Sequence, residues 1–139
     1  MRYLGLDLGT RTLGCSISDI SGTIASTLKT IRFPDSEYSV LIPQIKEMVH
    51  EYEIGKIILG FPKNMNNTIG PRGETTLEFK KMLEKELGLE VILQDERLST
   101  VEATHYLLQA DLSRKKRKKK VDSLAANIIL QTYLDKKRG

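Results

Sequence analysis

With 139 residues, 40% apolar and 29% charged, the chain has the composition of one soluble globular domain spanning residues 1 to 139, and of neither a fibrous nor a disordered protein. No apolar run reaches the roughly 20 residues of a membrane span, Met1-Arg2-Tyr3 leads straight into a strand pattern rather than a secretion signal, and the single Cys15 closes no intramolecular disulfide; a reduced, cytoplasmic setting with no membrane partner is expected. The net charge of +4 conceals an asymmetry, because residues 111–139 hold ten Lys and Arg against Asp111, Asp122 and Asp135, whereas residues 1–110 hold twelve against fifteen acids.

The first segments read as strands over 2–8, 13–19 and 23–32, joined by "GTRT" and "ISG", which are short enough for antiparallel neighbours. Within "YLGLDLGTRT", Leu4, Leu6 and Leu8 alternate with Tyr3, Gly5 and Asp7, the period-2 signature of a strand with two distinct faces. Cys15, in "LGCSISD", reads as a small core residue. In "DSEYSVLIPQIKEMVHEYE" the period changes. Ile42, Ile45, Met48, Val49 and Tyr52 recur at three- and four-residue spacing and predict an amphipathic helix, which Pro43 either opens or kinks.

"KIILGF" (56–61) is a continuous apolar run, expected of a strand buried on both faces. The Pro-, Asn- and Gly-rich loop "PKNMNNTIGPRG" follows, then a helix from about Glu74 to Leu87 closed by Gly88. "LEVILQ" reads as the fifth strand, and the capping-box spacing of Ser99 and Glu102 predicts a helix to about Gln109. "RKKRKKK" (114–120) reads as a solvated loop, since seven adjacent cations repel one another. A last helix then begins near Val121, with Asp122 on its first turn and Leu124, Ile128 and Leu134 inside. A hairpin meander followed by alternating strand and helix predicts an α/β fold, a mixed five-stranded sheet covered by helices.

Three acidic positions stand apart from the solvated ones. Asp7 lies inside the first strand, "DER" (Asp95, Glu96, Arg97) ends the fifth, and Asp122 opens the last helix. Carboxylates at the carboxyl ends of neighbouring central strands converge at one sheet edge, and a helix laid across that edge adds a third. Such a cluster suits the hard cations Mg²⁺ or Mn²⁺, which bind a phosphodiester and activate water. The alternative for Asp7 is an ion pair with Arg11 or Arg97, and strand parity leaves open whether Asp95 or Glu96 faces inward. His50 and His105 have no metal-ligand spacing, and no Ser/His/Asp or Cys/His arrangement is present. Arg114, Lys115, Lys116, Arg117, Lys118, Lys119 and Lys120 are expected to hold a phosphate backbone. Arg11, Lys63, Asn64, Arg72 and Arg97 are expected to flank it.

"GLDLGTRTLGCSISD", "GFPKNMNNTIGPRGE", "DERLSTVEA" and "VDSLAANIILQTYL" stand in the order found in the YqgF/RuvX family of RuvC-like resolvases, also described as pre-16S rRNA nucleases. The chain resembles that family over nearly its whole length, although Thr12 and Cys15 stand where Ile and Val are common. The resemblance implies an RNase H-like fold and nuclease chemistry with divalent metal in the bacterial cytoplasm. It also implies a role at the 5′ end of small-subunit ribosomal RNA, with ribosomal pre-particles as partners. By the same resemblance, Asp7, Glu96 and Asp122 are the metal-binding and catalytic acids, with Asp95 as second choice for the middle one. The alternatives are cleavage of branched DNA at Holliday junctions, and a non-catalytic RNA-binding assembly factor. "GLDLGT" also resembles the first phosphate motif of actin-like and sugar-kinase ATPases, but those need two such domains and further glycine-rich motifs.

Overall fold

The computed structural model describes residues 1–62, 70–95 and 114–138, with side chains of the last stretch described over 124–137. Five strands form one sheet: β1 (Arg2–Leu8), β2 (Thr12–Ser18), β3 (Ala25–Arg32), β4 (Ile54–Phe61) and β5 (Val91–Asp95), in the order β3-β2-β1-β4-β5. The first three pair antiparallel, and β4 and β5 then add in parallel beside β1, as the element order predicts. The turn between β2 and β3 is built by Asp19. Its Oδ1 accepts the backbone N–H groups of Thr23 and Ile24 at 2.8 and 3.2 Å. These bonds hold the carboxyl below the usual range and delay the start of β3 to Ala25.

Helices α1 (Leu41–Glu51) and α2 (Pro71–Leu87) cover one face. A single 3-10 turn, Tyr38–Val40, leads into α1, and Pro43 falls in its first turn, where a missing N–H costs nothing. Pro71 likewise occupies the start of α2, three residues earlier than the sequence pattern suggests. Gly88 ends it as expected, at φ 67° in the left-handed region, with its N–H on the Glu84 carbonyl at 3.0 Å. The core on this face joins Leu4, Leu6, Leu8, Leu13, Cys15, Ile57, Leu59 and Val91 of the sheet to Leu41, Ile45 and Met48 of α1 and Phe79 and Leu83 of α2. Val49 and Tyr52 pack at its margin.

The opposite face is crossed by one long helix, α3 (Arg114–Arg138). Here the structure corrects the sequence reading in three ways. The run Arg114–Lys120 is helical rather than a loop, and Lys and Arg are strong helix formers. Asp122 is consequently the ninth residue of the helix, not part of its first turn. The inward stripe is also rotated: Ala125, Ala126, Ile129, Leu130 and Leu134 are buried, while Leu124 and Ile128 sit at the edge. Tyr3, Ala25 and Ile58 complete this second core, with Ile92 and Tyr133 packed against it. Ile57, Ile58 and Leu59 are all fully buried, so β4 is covered on both faces as its apolar run predicts. The expected helix from Ser99 to Gln109 lies outside the described residues.

Candidate active site

The alternation in β1 sorts its side chains between two environments. Leu4, Leu6 and Leu8 enter the α1/α2 core, and Tyr3 enters the α3 core. Asp7 shares the parity of Tyr3 and Gly5 and therefore lies on the α3 face, where it is half-buried. Its partner across β2 is Gly14. On the other side, the parallel register that pairs Gly5 with Ile58 and Leu6 with Leu59 brings Gly60 next in line. Both strand neighbours of this carboxylate on its own face thus lack side chains. Glycine inside a strand weakens it and marks places where another group must come close. Gly14 and Gly60 leave the surroundings of Asp7 open on both sides, a feature that the acidic residues alone do not mark.

Asp7 has no hydrogen bond or ion pair among the described residues. Arg11, one of its expected partners, instead meets Asp35 at 3.6 Å with both side chains largely exposed, a surface pair of small energetic weight. The other, Arg97, lies outside the described residues, as do Lys63, Asn64 and Glu96.

Helix α3 runs antiparallel to β1, and successive contacts fix this direction. At Tyr3 the helix presents Tyr133, with ring centroids 5.9 Å apart, and Lys137, whose Nζ donates to the Tyr3 hydroxyl and sits 4.8 Å from the ring centre. At Gly5 it presents Leu130 and the Ala126 carbonyl, so close that an added Cβ would lie 2.7 Å from Leu130 Cβ. Two residues further along β1 is Asp7; one turn further back along α3 is position 122. The side chains of Asp122 and of Arg114 to Lys120 are outside the described set.

Asp95 is paired with Phe61 at the end of β5 and shares the parity of Val91, which enters the α1/α2 core; Ile92 packs on the α3 side. Asp7 and Asp95 thus stand on opposite faces of the sheet. Among the described residues no three His, Cys, Asp or Glu side chains gather into a metal cluster. His50 lines a separate surface depression with Lys46, Val49, Glu53 and Leu87.

Arg72, in the first turn of α2, donates from Nη2 to the Leu8 carbonyl at 2.8 Å and so ties that helix to the carboxyl end of β1. Beside it a cavity of about 190 Å³ opens between Gly9, Thr10, Tyr38, Arg72 and Thr75. Cys15 is fully buried, as expected, and burial pushes its thiol up to about 12, which removes it as a nucleophile.

Residues 1–136 match the family model described as "RuvX: Holliday junction resolvase". The chain is 51% identical over 138 residues to a Geobacillus sp. (strain WCH70) protein and 50% identical over 135 residues to one from Bacillus subtilis (strain 168), both named "Putative pre-16S rRNA nuclease". These alignments cover 99% and 97% of the chain and 100% and 98% of the relatives. In fold it is similar to Thermus thermophilus RuvC in complex with Holliday junction substrate, with a TM-score of 0.62 at 15% identity, covering 100% of this chain and 96% of that one. The Fowlpox virus resolvase with its Holliday junction DNA gives 0.59 at 13% identity, with both chains covered in full. The sheet order, with an antiparallel meander and two parallel strands, is therefore the RuvC-like, RNase H-type fold.

Proposed function

The chain belongs to the RuvX family of nucleases, and from that premise we propose that it is a metal-dependent endonuclease acting on structured nucleic acid, with the 5′ end of pre-16S rRNA as its substrate. The observation that carries this reading is Asp7: a half-buried carboxylate, without a described partner, between two glycine neighbours on the face that α3 crosses. An ionised carboxylate half out of water calls for a counter-charge, and its oxygens suit Mg²⁺ or Mn²⁺. Glu96 and Asp122 are the proposed co-ligands. The antiparallel run of α3 supports Asp122, because the contacts at Tyr3 and Gly5 lead one turn on to that position. The parity of β5 supports Glu96 over Asp95, which stands on the other face from Asp7.

A divalent cation, when bound, supplies charge stabilisation for the phosphodiester and lowers the pKa of its water. The chain's own contribution is rigidity and room. Asp7 is fixed on a central strand bonded on both sides, and Gly14 and Gly60 leave space for a phosphate to approach. The cations from Arg114 to Lys120 occupy the first two turns of α3, where positive charge opposes the helix dipole and neighbouring charges repel. A phosphate backbone on that segment relieves both penalties, and Arg11, Lys63, Asn64, Arg72 and Arg97 extend the same contact. No described helix is long and apolar enough to cross a membrane. We place the protein, as one domain, in the cytoplasm with pre-ribosomal RNA.

The test is a side-by-side cleavage assay with Mn²⁺, offering a 5′-extended small-subunit rRNA fragment and a four-way DNA junction of matched length. Preferential cleavage of the RNA supports the proposal. Preferential cutting of the junction transfers it to resolution, and binding of RNA without cleavage of either leaves an assembly factor.

A further inference from the structure

Ser16 is fully buried on β2, opposite Gly5 of β1, and on the α3 face of the sheet. Its Oγ donates to the backbone carbonyl of Ala126 at 2.9 Å. A buried hydroxyl costs free energy unless it is bonded, and an alanine would fill most of the same space without that requirement. The contact is also unusually close. A methyl at Gly5 would overlap Ser16 Oγ and come within 3.2 Å of the Ala126 oxygen. Gly5, Ser16 and Ala126 therefore form a seam of small residues closed by one directional bond. A second polar clamp lies further toward the C-terminus of α3: Gln131 accepts the Ala25 N–H at 2.8 Å and donates to the Thr23 carbonyl at 3.0 Å. Ser16 thus bonds to α3 one helical turn from position 122.

We propose that Ser16 is a positioning residue for the metal-binding carboxylates, setting where Asp122 stands relative to Asp7. The proposal rests on the site reading given above. From the seam to Asp7 is two residues along β1, about 7 Å; from Ala126 to Asp122 is four residues along the helix, about 6 Å. The two offsets run in the same direction, so the bond at the seam holds the turn next to Asp122, while the Gln131 clamp holds the helix further on. Apolar packing of Ile129 and Leu130 alone tolerates a small slide or roll of the helix, whereas a bond to one carbonyl does not.

The experiment measures Mn²⁺ binding by calorimetry and single-turnover cleavage for wild type, Asp7→Asn, Ser16→Ala and Ser16→Cys. Ser16→Ala is expected to keep its circular dichroism while its Mn²⁺ dissociation constant rises about 10- to 100-fold, the usual cost of losing support behind a metal ligand. The single-turnover cleavage rate should fall while the half-saturating concentration for nucleic acid stays unchanged. Mn²⁺ affinity within twofold of wild type, with only a lower Tm, would reduce Ser16 to a packing residue and overturn the proposal. Asp7→Asn separates the two levels: if it loses Mn²⁺ and Ser16→Ala does not, the positioning role alone fails. If Asp7→Asn binds Mn²⁺ like wild type, the site reading fails and the proposal with it. Should Ser16→Ala not fold, Ser16→Cys decides: its weaker thiol donor should still loosen Mn²⁺ binding by more than twofold, and affinity equal to wild type would overturn the proposal.

Discussion

The two faces of this sheet are built on different principles. Toward α1 and α2, Leu4, Leu6, Leu8, Leu13, Ile57, Leu59 and Val91 form a continuous apolar layer, with Asp95 at the end of β5 at its margin. Toward α3, the same strands present Gly5, Asp7, Gly14, Ser16, Ser18 and Gly60, and the buried apolar residues are few. Close packing of branched side chains gives the first face its stability; small residues and directional bonds give the second its geometry. The apolar core residues and Asp7 thus stand on opposite sides of one strand, residue by alternate residue.

The sharpest way to break this division is Asp7→Asn. We expect cleavage to fall about a thousandfold or more, on the scale of several kcal/mol of metal-derived stabilisation, and the Mn²⁺-induced rise in Tm to vanish. The metal-free Tm should hold or increase, because the change removes a half-buried charge. A large drop in metal-free stability would show that Asp7 serves the fold.

Leu59→Ala probes the other face. Its side chain is fully buried, so a loss of about 2–5 kcal/mol is expected in a denaturant titration. Mn²⁺ affinity of the folded protein should not change. Equal losses in affinity would mean that the two faces are mechanically coupled.

Cys15 adds a pH signature to the apolar face. Its folded pKa of about 12 lies above the ordinary 9.0, so its contribution to stability is complete below pH 9 and is lost as pH rises toward 12. Unfolding midpoints at pH 8 and 10.5 should therefore fall further in wild type than in Cys15→Ala. Parallel declines would place that alkaline sensitivity elsewhere.

The smallest effect concerns the end of α3. Converting Lys116, Arg117 and Lys118 to Gln should reduce the slope of log affinity against log salt by about 0.7 to 0.9 for each lost phosphate contact. Binding should weaken alike for all sequences, since phosphate contacts do not read bases. An unchanged slope would take this segment off the nucleic-acid surface.

The sequence by itself determined the strands, the order of the described elements, the cap at Gly88, the burial of Cys15 and the double-sided burial of β4, because each is written in short-range periodicity or in one residue's conformational preference. It also marked Asp7 and Asp122 as unusual acids. Three things were decided only by the tertiary structure. The basic run continues α3, since its repulsions are outweighed once the helix behind it is anchored on the sheet at Ala126, Ile129 and Leu130. The inward stripe of that helix is set by where the gap at Gly5 lies, and no helical period within residues 121–137 encodes the position of a glycine more than a hundred residues away. The faces of Asp7 and Asp95 follow from pleat parity counted along two different strands, which becomes a relation between them only when β4 pairs with both.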